Sequence, residues 1–132
     1  MTASVAQKLE KKERIDSRTL IERLFAKGES RSMSFFPLRI VYMYVDKTEL
    51  DATSLQMMVS VSKKHFKRAV KRNRVKRQIR DSFRRNKMLL ASSTLDDSKT
   101  LAIAFIWLSD ELYSSAEIEK KMKALMQRIN EQ

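Results

Sequence analysis

The sequence predicts an α+β fold in which three helices pack on a small sheet of about four strands, a two-layer α/β sandwich. Three observations carry that expectation. In residues 55–62, Leu55, Met57, Val59 and Val61 alternate with Gln56, Met58, Ser60 and Ser62, the period of a strand with two unlike faces. Residues 101–107 form a continuous apolar run, which fits a central strand covered on both sides. Ile118, Met122, Leu125 and Ile129 recur at helical spacing and mark a core-facing stripe.

The remaining elements follow in chain order. Residues 1–15 are polar and basic and read as a flexible segment ahead of a single domain over 16–130. Asp16 or Ser17 can cap a first helix, in which Thr19 and Glu22 have capping-box spacing. Leu20, Ile21, Leu24 and Phe25 form its apolar stripe, and Gly28 suits the C′ position. Residues 35–45 read as strand, with Pro37 marking a break or an edge because it cannot donate to a ladder. The order is α-β-β-α-β-α, or α-β-β-β-α-β-α if Pro37 splits that strand. A long basic helix over about residues 66–87 and a polar loop over 91–99 connect the last two strands. Ser114 and Glu117 repeat the capping-box spacing before the final helix.

Composition narrows the function. The chain has 132 residues, a net charge of +12 and no cysteine, which excludes disulfides and thiolate zinc sites and suits a reducing, cytoplasmic setting. The apolar run over 101–108 is far shorter than the roughly 20 residues a membrane helix needs, so no membrane role is expected. Thirteen of the 28 Lys and Arg fall between Lys63 and Lys87, against a single acid, Asp81, among the chain's 16. Elsewhere fifteen bases balance fifteen acids, so the entire surplus lies in 25 residues. Such a concentrated excess serves a polyanionic partner.

At about 100° per residue, Asn73, Lys76, Arg77, Arg80 and Arg84 share one face of the basic helix. Val75, Ile79, Ser82 and Asn86 lie opposite, with Phe83 between. Lys76, Arg80 and Arg84 repel one another at i, i+4, a cost a phosphate backbone would remove. A merely solvated charged face would normally be interspersed with acids, and these are missing. Asn73 is either an incidental polar residue or a hydrogen-bonding contact to a base, a sugar or a metal-bound water. Lys63 and Lys64 either cap the preceding strand or extend the patch. His65 stands alone without a nucleophile or a second His. Phe25, Phe36, Tyr42 and Tyr44 read as core more readily than as base-stacking surfaces, and Trp107 reads as core. Asp96 and Asp97 suit a loop better than an acid–base pair. No paired carboxylates, phosphate loop or nucleophile–base arrangement is present in the sequence.

The block Ser60-Val-Ser-Lys-Lys64, then Ala69-Val70, Arg72-Asn-Arg-Val-Lys-Arg77, Ile79-Arg80 and Phe83-Arg84 closely resembles the bacterial ribonuclease P protein component family. Leu24-Phe25-Ala-Lys-Gly28, Ser30, Phe36 and residues 101–107 extend the resemblance over about residues 10–130. The resemblance implies a fold like the second domain of ribosomal protein S5, with a left-handed βαβ crossover. It implies that catalysis belongs to the ribonuclease P RNA, which uses Mg2+ to hydrolyse a phosphodiester and release the 5′ leader of precursor tRNA. The protein would bind that RNA, one protein per RNA, through Arg72, Asn73, Arg74, Lys76, Arg77 and Arg80. Lys63 and Lys64 would support this surface, and Lys67, Arg68 and Arg84 complete the expected RNA-binding set. A cleft between the sheet, the first helix and the basic helix would hold the leader, lined by Ile21, Phe25, Phe36 and Arg39. Two of these depart from the family's pattern: Ile21 and Arg39 stand where aromatics are common, which shifts the leader contact from stacking toward electrostatics. No metal ligand in the protein is assigned.

Two other functions compete, a non-enzymatic structural RNA binder such as a ribosomal protein and a DNA-binding module using the basic helix in a major groove. The second lacks a heptad seam or a helix-turn-helix partner. The strand-Ser-Lys-Lys-helix order favours the ribonuclease P reading over the first.

Overall fold

The computed structural model describes residues 14–15, 18–26, 28–46, 55–94 and 98–131. Its elements are α1 (Arg18–Phe25), β1 (Arg31–Phe35), β2 (Leu38–Asp46), β3 (Leu55–Ser60), α2 (Ala69–Asn86), a 3₁₀ segment (Lys87–Thr94), β4 (Lys99–Trp107) and α3 (Ser115–Asn130). The caps expected at Asp16 and Ser17, the Asp96-Asp97 loop and residues 1–13 lie outside the described residues.

The four strands form one mixed sheet in the order β1-β2-β4-β3. β1 and β2 pair antiparallel, as do β2 and β4, whereas β3 and β4 run parallel and are joined through α2. The order is α-β-β-β-α-β-α with Pro37 in the break between β1 and β2, but β1 lies almost wholly ahead of the strand predicted over 35–45, and strand at residues 31–34 is not expected from the sequence. The last β1–β2 pair is Phe35 with Leu38, so Phe36 and Pro37 form the turn, where a missing N–H costs no ladder bond. The Pro37 carbonyl accepts from Leu108 N at 2.9 Å, which ties this turn to the end of β4.

The pleat sorts the core into two clusters. Leu38, Ile40 and Tyr42 of β2 and Leu101, Ile103 and Phe105 of β4 face α2 and α3, meeting Val75, Ile79, Phe83, Ile118, Met122, Leu125 and Ile129. Val41, Met43, Val45, Ala102 and Ala104 point to the other face, where Leu20 and Leu24 of α1 cover them. β4 is therefore covered on both sides, as its unbroken apolar run requires. The short α1 adds a partial layer beyond the α2–α3 layer and the sheet.

Several boundaries differ from the sequence-based expectation. α2 starts at Ala69 rather than near residue 66: residues 66–68 form a non-helical lead-in that is anchored by the buried Phe66 and ends in the extended backbone of Arg68. The chain continues as 3₁₀ helix after α2, and Leu90 packs into the core, so part of the expected 91–99 loop is regular structure. Gly28 adopts φ 118°, the left-handed region that favours glycine, in the turn after α1. Arg14 and Ile15, which the sequence places in the loose N-terminal segment, reach the β3 edge: Ile15 N donates to Met57 O at 2.9 Å. The Ser114 capping box forms as expected, with Glu117 N donating to Ser114 Oγ at 3.2 Å.

Candidate nucleic-acid interface

α2 buries Val75, Ile79, Ser82, Phe83 and Asn86 and turns its cations away from the sheet, the division that the 100° spacing predicts. Asn73, Arg74 and Arg77 are exposed, whereas Lys76, Arg80 and Arg84 are half-buried. Long cationic side chains can cover apolar surface with their stems while their heads stay in water. The side chains of Lys63, Lys64, Lys67, Arg68, Lys71, Arg74, Lys76, Arg77, Arg80 and Arg84 make no hydrogen bond or ion pair among the described residues. Acids that do pair with α2 sit on its other flank. Arg85 Nη2 donates to Glu119 Oε1 at 2.9 Å, and Asn86 Nδ2 donates to Glu119 Oε2 at 3.1 Å. Gln78 Nε2 donates to Tyr113 O and Ser115 Oγ, both at 3.1 Å. These contacts fasten α2 to α3 and leave the opposite face available.

The approach to α2 is held just as firmly. Ser62 Oγ accepts from Lys64 N at 3.1 Å, and Ser62 O accepts from His65 N at 3.1 Å. His65 is not alone: its Nδ1 lies 2.7 Å from Asp110 Oδ1, in the connection after β4. Arg72 differs from its neighbours in the run, because its Nη1 donates to Phe66 O and Lys67 O, both at 2.8 Å.

The sheet face under α1 is only partly covered. The strand register places Ser34, Arg39, Ile106 and Ser60 in one row across β1, β2, β4 and β3. That row runs from the β1–β2 turn, which carries Phe36, to the end of β3, which leads into Lys63 and Lys64. Arg39 is exposed on the same face as Val41 and Met43, while Ile21 of α1 is half-buried against the cluster there. Phe25 is 47% exposed and Phe36 56% exposed, so neither belongs to the core, contrary to the expectation from residue type. Tyr44, at 43%, is exposed as well, whereas Tyr42 and Trp107 are buried as expected. The row connects the leader-cleft candidates to the Lys63-Lys64 turn. α1 and α2 themselves lie on opposite faces of the sheet. Arg39 and Lys63-Lys64 thus belong to one end of the sheet, with the exposed cations of α2 following directly.

The sequence missed the partners of His65, Arg72, Gln78 and Glu119. The His65–Asp110 and Arg85–Glu119 pairs span 45 and 34 residues, so only the folded chain brings them together. Among the described residues no three His, Cys, Asp or Glu side chains gather, so these residues do not make an all-protein divalent-cation cage. No helix among them is long and apolar enough to cross a membrane.

Comparison with known proteins identifies the family and the fold. The family model described as Ribonuclease P matches residues 9–130. The ribonuclease P protein components of two strains of Porphyromonas gingivalis are each 40% identical to the chain over 129 residues, covering 98% of it and 91% of the relative. Among solved structures, the RNase P protein of Staphylococcus aureus superposes with TM-score 0.63 at 22% identity, over 88% of this chain and 94% of that one. The RNase P protein of Thermotoga maritima, in complex with 1-(4-fluorophenyl)-2-thiourea, gives TM-score 0.67 at 22% identity, over 87% and 98%. These two likenesses show a shared fold.

Proposed function

The chain belongs to the bacterial ribonuclease P protein component family, and from that premise we propose that it binds the catalytic ribonuclease P RNA and the 5′ leader of precursor tRNA. It is a component of ribonuclease P, an endoribonuclease holoenzyme. In this reading the protein supplies binding and orientation, and the RNA subunit carries the cleavage. The observation that carries it is the cationic face of α2, left without acidic partners among the described residues and joined to the Lys63-Lys64 turn.

Phosphates of the ribonuclease P RNA would take the place of the missing acids along Asn73, Arg74, Lys76, Arg77, Arg80 and Arg84. Lys63, Lys64, Lys67 and Arg68 would extend that contact to the end of β3. The leader would lie on the partly covered sheet face, with Phe25 and Phe36 offering ring surface to bases and Arg39 pairing with a phosphate. Ile21 would contribute apolar contact rather than stacking. Mg2+ would be held by RNA phosphates, since the described side chains do not supply a carboxylate cage. Its chemistry there would be to activate water and stabilise the leaving oxygen. The same reading places the protein in the cytoplasm with one copy per RNA.

Titration of ribonuclease P RNA with this chain over a range of salt tests the reading. Log K should fall with log salt, by roughly 0.7–0.9 for each phosphate neutralised. A slope near zero would show that the cations of α2 are not the contact surface.

A further inference from the structure

The Arg72 guanidinium sits in an unusual place for a cation. Ala69 begins α2, so Arg72 lies in its first turns, where the helix dipole disfavours positive charge. The helix also starts without a side-chain cap: Arg68 has extended backbone angles and caps nothing. Arg72 Nη1 instead reaches back to the carbonyls of Phe66 and Lys67 at 2.8 Å each, and so spends both of its hydrogens on the chain's own backbone. Charge-assisted bonds of this kind are among the stronger hydrogen bonds. They offset the unfavourable dipole and fix the non-helical lead-in against the helix. From the other side, His65 is held 2.7 Å from Asp110, and Ser62 closes the turn through Lys64 N and His65 N.

We propose that Arg72 is a positioning residue, which locks the lead-in over residues 62–68 to α2 so that Lys63, Lys64, Lys67 and Arg68 meet RNA phosphates in one fixed arrangement. The geometry supports this over a direct phosphate contact as its main role. An untethered lead-in would lose backbone freedom on binding, a cost that prior ordering of its backbone removes. The inference rests on the RNA-binding reading above and assigns Arg72 a different task within it.

A double-mutant cycle in RNA binding tests the assignment. Ribonuclease P RNA affinity is measured for the full chain, for Arg72→Ala, for Lys64→Ala, and for the double variant. Positioning predicts strong coupling: Lys64→Ala costs at least about threefold less affinity in the Arg72→Ala background than in the wild type. A loss of folding stability alone would leave the Lys64 effect the same in both backgrounds once folded protein is compared. Additive losses, together with a salt slope lowered by about one phosphate in Arg72→Ala, would overturn the inference and make Arg72 a direct contact. Should Arg72→Ala fail to fold, Arg72→Met keeps the aliphatic stem and runs the same cycle. Failure of the wild-type chain to bind the RNA would defeat the functional reading itself. Wild-type binding with an additive cycle would defeat this inference alone.

Discussion

Arg85 and Glu119 join α2 to α3 through a 2.9 Å contact between Nη2 and Oε1. Glu119 also accepts from Asn86 and lies 3.8 Å from Lys123. Its pKa is held below the ordinary 4.5, first by the hydrogen bond from Arg85 and then by that from Asn86, against an opposing effect of burial. A carboxylate with a depressed folded pKa contributes stability above its unfolded pKa and loses it as pH falls through the folded value. Thermal unfolding should therefore show Glu119→Gln closer to wild type in acid, below the ordinary value, than at neutral pH. An equal deficit at both pH values would remove Glu119 from the acid response.

Phe83, with Val75 and Ile79, holds α2 to the sheet. It is fully buried and meets the Phe105 ring edge-on, with centroids 5.6 Å apart. Phe83→Ala should cost roughly 3–5 kcal/mol of stability, from lost transfer energy and the cavity left behind. Chemical denaturation checks this. A loss under about 1 kcal/mol would mean that α2 is held to the sheet chiefly by its polar ties.

Phe36 separates binding from folding. The ring is exposed at the β1–β2 turn, so Phe36→Ala should change stability by no more than about 0.5 kcal/mol. The same substitution should weaken precursor tRNA binding by roughly 1–3 kcal/mol if a leader base stacks there. Affinity measured with and without the leader distinguishes this from a general RNA effect. A loss of equal size on leaderless tRNA would place Phe36 outside the leader contact.

Arg77 should behave as a phosphate contact. It is exposed on the cationic face and pairs with no acid among the described residues. Arg77→Ala should weaken association with ribonuclease P RNA by about 1–3 kcal/mol and lower the salt slope by about one, while the unfolding midpoint stays near wild type. Wild-type affinity in that variant would take Arg77 out of the interface.

The sequence made the basic helix and β3 legible because each has an unambiguous period, and it made the central β4 legible as an unbroken apolar run. Val75 and Ile79 of α2 are buried where the spacing places them, and Leu55 and Met57 face the core as alternation requires. The side of the sheet that α1 covers was not legible, since the Leu20–Leu24 stripe fits either face and only the sheet register decides. Phe25 and Phe36 show why aromatic type is a weak guide to burial: one ends a short helix and the other occupies a turn, and neither position has a second layer above it. His65 and Arg72 look like further members of a charged run. Their roles depend on Asp110 and on two backbone carbonyls, and the folded chain alone brings these together.

The most direct test is reconstitution. Ribonuclease P RNA and precursor tRNA are mixed at low magnesium, with and without this protein, and release of the 5′ leader is followed over time. Stimulated cleavage at the mature 5′ end, with none by the protein alone, is the predicted result. Unchanged cleavage when the protein is added would contradict the account.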